Sequence, residues 1–253
     1  MKLRTFLLIT TILAGCANAQ AADWYTGGSP GSAERKTDND WIVALDASLT
    51  VTSKSSVFGN LTGTFAAFST LQTSGARIRV DGLAGSYNYQ TNGAAPVWVR
   101  VRQEAASLLG GYEWVSKNAT FAVFVGGNFS NTSLSVVDPT NTVQGSGAGF
   151  KISGEYYANP TTKTMVSAYA SYASLHNSYY ARVKGGWSVF NKNTFLGPEV
   201  IVVGDDFTSQ YRVGAHLTGM KMGPMQFGLS GGYLNDRIRG SGTYAIMDAR
   251  VGF

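Results

Sequence analysis

The sequence predicts an all-β fold: a single antiparallel, up-and-down transmembrane β-barrel of about twelve strands, with ten or fourteen as the alternatives. Three observations predict it. The chain ends on the register Met247-x-Ala249-x-Val251-x-Phe253, an alternating, aromatic-ended strand that resembles the C-terminal assembly signal of bacterial outer-membrane barrels. After Leu13 no apolar stretch is long enough to cross a bilayer as a helix, so a membrane-spanning chain must satisfy its backbone through a closed sheet. Charged residues make up only 14%, against 31 glycines and 12% aromatics, a mixture that suits strands better than helices.

The first segment is an export signal. Lys2 and Arg4 precede the apolar run 6–13, and Gly15-Cys16-Ala17-Asn18-Ala19 follows, the layout of a cleaved signal peptide over residues 1–22. Ala17-Asn18-Ala19 fits ordinary signal peptidase, whereas Leu13-Ala14-Gly15-Cys16 resembles a lipoprotein box that would acylate Cys16. Both readings stay open, although a barrel that already anchors the chain needs no lipid. Cys16 is the only cysteine. An internal disulfide and a cysteine-based metal site are therefore excluded, and no metal or cofactor is expected. Residues 23–39 carry Gly27-Gly28-Ser29-Pro30-Gly31 ahead of Glu34-Arg35-Lys36 and read as a flexible periplasmic leader, with the barrel over 40–253.

In order, the predicted strands are 41–51, 57–69, 76–89, 97–115, 119–130, 145–158, 163–174, 178–190, 194–204, 208–221, 224–234 and 242–253, each an alternating run closed by turn residues. The fourth sets Val97, Val99, Val101, Ala105 and Leu109 opposite Arg100, Arg102 and Glu104. The eighth sets Tyr179, Ala181, Val183 and Trp187 opposite Arg182 and Lys184. The tenth sets Tyr211, Val213, Ala215 and Leu217 opposite Gln210, Arg212, His216 and Thr218. Apolar rows are expected to face lipid and charged rows the lumen. A soluble β-sandwich also alternates; the terminal Phe253, the Tyr and Trp near segment ends and the even meander favour the barrel.

With both termini periplasmic, the connections 70–75, 116–118, 159–162, 191–193 and 222–223 become the short periplasmic turns, and 131–144 becomes the longest outer loop. Asp138-Pro139-Thr140-Asn141 within it reads as a turn. Nothing divides the barrel into domains, and a monomer in contact with outer-membrane lipid and the outer-membrane assembly machinery is expected. The formal charge of +5 is modest and its basic residues are scattered, which argues against nucleic-acid binding.

Chemistry-bearing residues concentrate on lumenal faces. Lys151 and Glu155 share a strand face with Ser153 between them, and Arg182, Lys184, Glu199, Arg212, His216, Asp248 and Arg250 come from later segments. They form either a salt-bridge network that plugs the lumen or a polar cleft suited to sugar hydroxyls or a lipid headgroup. Serine-type hydrolysis requires a histidine base beside its nucleophile. Of the two histidines, His176 falls in a turn, while His216-x-Thr218 places a hydroxyl near the imidazole but offers a poorer nucleophile than serine. No catalytic residue is assigned, and His216 is expected to pair with a carboxylate. Gly145-Ser146-Gly147-Ala148-Gly149 opens a strand rather than a helix, so it lacks the helix start that binds phosphate and is expected to relieve crowding.

The succession Gly110-Gly111-Tyr112-Glu113-Trp114, Asp138-x-x-Asn141-x-Val143-x-Gly145, Gly149-x-Lys151-x-x-x-Glu155, Tyr180-x-Arg182, Gly197-Pro198-Glu199, Arg212-Val213-Gly214-Ala215-His216 and Gly231-Gly232-Tyr233 resembles the cellulose biosynthesis protein BcsS family of Gram-negative bacteria. The likeness runs from about Trp41 to Phe253 and is thinner in the first half. It implies an accessory outer-membrane protein of cellulose or exopolysaccharide production, with cellulose secretion proteins or the polymer as partners, and carries over no catalytic or binding residues. The competing classes are a lipid- or polysaccharide-modifying enzyme, with His216 and Glu199 or Glu155 as candidates, and a small-solute porin.

Overall fold

A chain in lipid has no water to bond its amides, so each backbone group must find a partner within the protein. The computed structural model describes residues 41–91, 95–190 and 193–253; the expected signal peptide, Cys16 and the leader lie outside the described residues. Twelve strands meet the backbone requirement: β1 (Val43–Thr52), β2 (Ser56–Ala66), β3 (Gly75–Gln90), β4 (Trp98–Val115), β5 (Ala119–Leu134), β6 (Gly145–Thr161), β7 (Thr164–Ala173), β8 (Ser178–Ser188), β9 (Phe195–Gly204), β10 (Ser209–Met222), β11 (Met225–Asp236) and β12 (Gly240–Gly252). Each is antiparallel to its sequence neighbours. The barrel closes where β1 pairs with β12, from Ala44 opposite Gly252 to Thr52 opposite Tyr244. Phe253 continues that seam, its carbonyl accepting from the Ile42 amide at 2.8 Å and its amide donating to Val43 at 2.9 Å.

The strand count agrees with the sequence prediction, while some bounds move. β5 continues to Leu134, so Asn131 to Ser133 belong to the ladder, and the loop after it is 135–144. The segment long enough to raise the count to fourteen is one strand, β4, of 18 residues. The connections 116–118, 162–163 and 223–224 lie at the end that also holds both barrel termini, the turn end; 135–144 lies at the opposite, loop end.

Side-chain alternation separates two surfaces. Outward rows carry Leu45 and Leu49 on β1, Phe121 and Val125 on β5, Val200 and Val202 on β9 and Leu229 on β11, all exposed as lipid-facing residues are. Aromatic rings border this belt, Trp114 stacking on Phe121 with centroids 5.5 Å apart at the turn end and Tyr211 meeting Tyr233 at 6.4 Å nearer the loop end. Inside, lumenal rings lie over the neighbouring strand where the residue paired with them has no side chain. A Cβ on Gly85 would stand 1.8 Å from the Phe58 ring, and one on Gly111 would stand 2.5 Å from the Phe124 ring.

One expectation about facing is reversed. Val99, Val101 and Leu109 of β4 are buried in the lumen, and Arg100, Arg102 and Glu104 point outward and are exposed. The cause is strand length. About ten tilted residues cross the apolar band, yet β3, β4 and β5 have 16, 18 and 16 residues. Their loop-end halves form a wall beyond the belt, where an outward side chain meets water. The outward Leu108, Tyr112 and Trp114 lie nearer the turn end, where the same strand meets lipid.

The height of the belt is testable on one strand. Val125→Arg, at mid-belt on β5, should destabilise the refolded barrel by about 2–4 kcal/mol in urea titrations from lipid vesicles, and Ser133→Arg, on the wall, by less than about 1 kcal/mol.

Candidate functional site

Lumenal charges come from alternate positions on neighbouring strands, and each needs an opposite charge because water is scarce there. They gather in two groups. In the first, Lys151 Nζ lies 2.8 Å from Asp81 Oδ2, Thr62 donates to Asp81 Oδ1 at 2.7 Å, and Arg79 grips Glu155 with two nitrogens, Nη2 at 3.0 Å from Oε2. Arg79 also lies 3.8 Å over the Phe124 ring. In the second, Arg182 Nε donates to Glu199 Oε2 at 2.7 Å, Nη2 to Ser230 at 2.6 Å and Nη1 to Asp248 at 3.4 Å. Tyr244 donates to Glu199 Oε1 at 2.6 Å, and Lys184 stands 3.5 Å from Asp248. Arg250 and Asp46, 3.6 Å apart, form a further pair.

The nine residues singled out from sequence all lie on lumenal faces, but not in one network. Lys151 and Glu155 share a face without bonding each other and belong to the first group; Arg182, Lys184, Glu199 and Asp248 make the second. Arg212 stacks over Tyr244 and donates to Gln210 at 2.5 Å. Sequence reasoning missed Asp46, Arg77, Arg79, Asp81 and Glu113. The signal was present as Arg77-x-Arg79-x-Asp81, three charges on one strand face. Arg77 bonds Glu113 at 2.7 Å and the Thr73 carbonyl at 2.6 Å, fixing the connection 67–74 to the turn end.

His216 departs from expectation. Among the described residues no carboxylate is hydrogen-bonded to it: Nε2 faces the Gly185 carbonyl at 3.2 Å and Nδ1 faces Thr218 Oγ1 at 2.7 Å. A carbonyl only accepts, so Nε2 carries the proton and Nδ1 accepts from the threonine hydroxyl. That is the relation of base to nucleophile, yet both residues are buried.

At the loop end an apolar cluster bridges strands and connections. Phe58, Tyr87, Tyr89, Val99 and Val101 form one cluster against Leu134, Phe207 and Ile238, which joins four strands, β2 to β5, to the connections 205–208 and 237–239. The loop 135–144 is clasped to it, because Tyr89 donates to Asp138 Oδ2 at 2.6 Å and accepts from Asn141 at 3.2 Å. The Tyr89 hydroxyl, helped by Thr140, holds the Asp138 carboxyl below its ordinary range. The space left inside includes cavities of about 60 Å³, beside Asp81 and Lys151, and about 30 Å³, beside Arg212 and Asp236.

A family model described as cellulose biosynthesis protein BcsS matches residues 49–253. No curated protein sequence matches. Among solved structures, the chain is similar to a TodX deletion mutant described as a monoaromatic hydrocarbon channel, at 8% identity over 93% of this chain and 96% of that one, with a TM-score of 0.51. It is also similar to the translocator domain of autotransporter NalP from Neisseria meningitidis (13% identity, 85% and 88% covered, TM-score 0.48). A third likeness is to the KdgM porin (12%, 83% and 99%, 0.41). At these identities the resemblance to the hydrocarbon channel is one of fold alone.

Removing one partner of a buried pair leaves the other charge stranded. Glu199→Ala should therefore cost about 3–5 kcal/mol in urea unfolding followed by heat-modified gel mobility, whereas Arg250→Ala, a longer and partly exposed contact, should cost about 1 kcal/mol or less. The clasp has its own pH signature. Since the folded-state carboxyl of Asp138 is depressed, its contribution is complete above about pH 4 and is lost as the pH falls through the lowered folded value. Pepsin should accordingly cut within 135–144 only at the acid end of its range, and in Tyr89→Phe throughout it.

Proposed function

This chain belongs to the cellulose biosynthesis protein BcsS family, and from that premise we propose that it is a non-enzymatic outer-membrane accessory of bacterial cellulose or exopolysaccharide production. It acts in assembly or anchoring rather than as a wide pore. The observation that carries this reading is the crowding of the described lumen by paired charges and aromatic rings. Two ion-paired groups span it, the cluster around Tyr87 and Tyr89 covers its loop end, and the cavities of about 60 and 30 Å³ are far smaller than a conduit for a polymer. The lipid-facing belt with its aromatic borders supports placement in the outer membrane, the turn end towards the periplasm and the wall of β3 to β5 on the cell surface. Cellulose secretion proteins or the polymer itself are the partners this position serves.

An enzyme is the second reading, favoured by the His216–Thr218 hydrogen bond of 2.7 Å. Against it, neither residue lines the two cavities described, and the imidazole is oriented by a backbone carbonyl, with no carboxylate hydrogen-bonded to it among the described residues.

Surface cellulose, measured by dye binding and enzymatic digestion in a deletion strain, should fall and be restored by both the wild-type protein and His216→Ala. Restoration by wild type alone would move the protein to the enzymes, and unchanged output on deletion would overturn the accessory role. Planar-bilayer conductance of the purified protein should stay near background.

A further inference from the structure

The larger cavity has the polarity of a sugar site. Its polar walls include Asn60, Gln103, Ser107, Asn128 and Ser130, with the Asp81–Lys151 pair beside them. Asn128 is already engaged, donating to Ser107 at 3.0 Å and to the Ala106 carbonyl at 3.3 Å. Asn60 and Gln103 are not. They are 8% and 4% exposed, and Oδ1 of one and Oε1 of the other have no hydrogen-bond partner among the described residues. Buried amides are almost always bonded, so two unbonded amide oxygens on residues that line one cavity point to a ligand that brings hydroxyl hydrogens once the amides turn towards it.

The charge pattern restricts what that ligand is. Asp81 and Lys151 neutralise each other at 2.8 Å, so the cavity presents no uncompensated charge to attract an ion. A planar amide offers an acceptor and donors side by side, the arrangement that meets adjacent hydroxyls. Leu83, Ala105 and Leu175 supply an apolar strip for the C–H face of a ring. The volume of about 60 Å³ holds about four to six waters, room for one hydroxyl-bearing edge of a sugar ring.

Leu175 also shows how the rim is built. It belongs to a 3₁₀ turn, Leu175–Asn177, between β7 and β8, and it rests over the glycines that open β6. A Cβ on Gly147 would stand 3.0 Å from Leu175 Cδ1, and one on Gly149 2.5 Å from Ser174 Oγ. The crowding that the glycine run relieves is thus the inward fold of this turn against the cavity.

We infer that this lumenal cavity binds one uncharged sugar ring of a polyhydroxylated ligand, with Asn60 and Gln103 as the residues that hold its hydroxyls. The inference deepens the proposed function and rests on it only in the choice of β-1,4-glucan fragments as the first probe. The full-length protein, purified in a zwitterionic detergent because sugar-headed detergents would compete, is titrated with cellobiose, maltose and galacturonate by calorimetry. Cellobiose or maltose should bind to wild type. Asn60→Leu and Gln103→Leu should each weaken that binding about tenfold, with an unfolding temperature unchanged or raised because each removes an unbonded buried amide. Absence of neutral-sugar binding, binding of galacturonate alone, or undiminished binding in both leucine variants would overturn the inference. The deletion-strain assay decides the accessory role separately, so a failure here is distinguishable from a failure there.

Discussion

The molecule depends on one constraint: no backbone amide or carbonyl can face lipid unpaired. A ring of antiparallel strands satisfies it only if the first strand meets the last, and the β1–β12 ladder, extended by Phe253, provides that meeting. Once the ring is closed, the two-residue period of a strand divides every segment between an outer and an inner surface. Lipid accepts the apolar row. The inner row inherits the charges, and their distribution among strands then governs what the lumen becomes.

In this lumen most of the charges meet an opposite charge. Each group draws members from strands far apart in sequence, as with Arg79 of β3 and Glu155 of β6, or Arg182 of β8 and Asp248 of β12. Such pairs add little net stability compared with apolar packing, but each ties together strands that are not neighbours in the ring. The aromatic cover at the loop end works differently, gathering connections from opposite sides of the ring onto Tyr87 and Tyr89. The described lumen thus holds paired charges, an aromatic cluster at its loop end and a few small polar spaces.

Much of this was legible in the sequence, and the illegible parts have physical reasons. Strand number and order follow from local alternation and turn residues, which is why the twelve segments can be read from the sequence. The faces of β4 did not, because alternation tells two sides apart without saying which side is wet. That depends on how far Trp98 to Ala106 stand above the membrane, which is set by the equally long neighbours β3 and β5. The inventory of lumenal charges was recoverable, and Arg77-x-Arg79-x-Asp81 could have completed it. Their pairing was not, since Lys151 and Asp81 are brought together by the curvature of the ring, across 70 positions of sequence. His216 misled for a related reason: its partner is a backbone carbonyl on β8, which no side-chain pattern announces.

The thin places in the wall have a consequence for anyone reading inherited variation in this protein. Phe58 and Phe124 occupy the volume that side chains on Gly85 and Gly111 would take. Where a ring fills the space of a missing side chain, the tolerated alphabet at that position shrinks to a single letter, whatever the protein's task. A saturation screen would mark those two glycines as sharply as residues in contact with a ligand, and its hottest positions would trace wall thickness before they traced function.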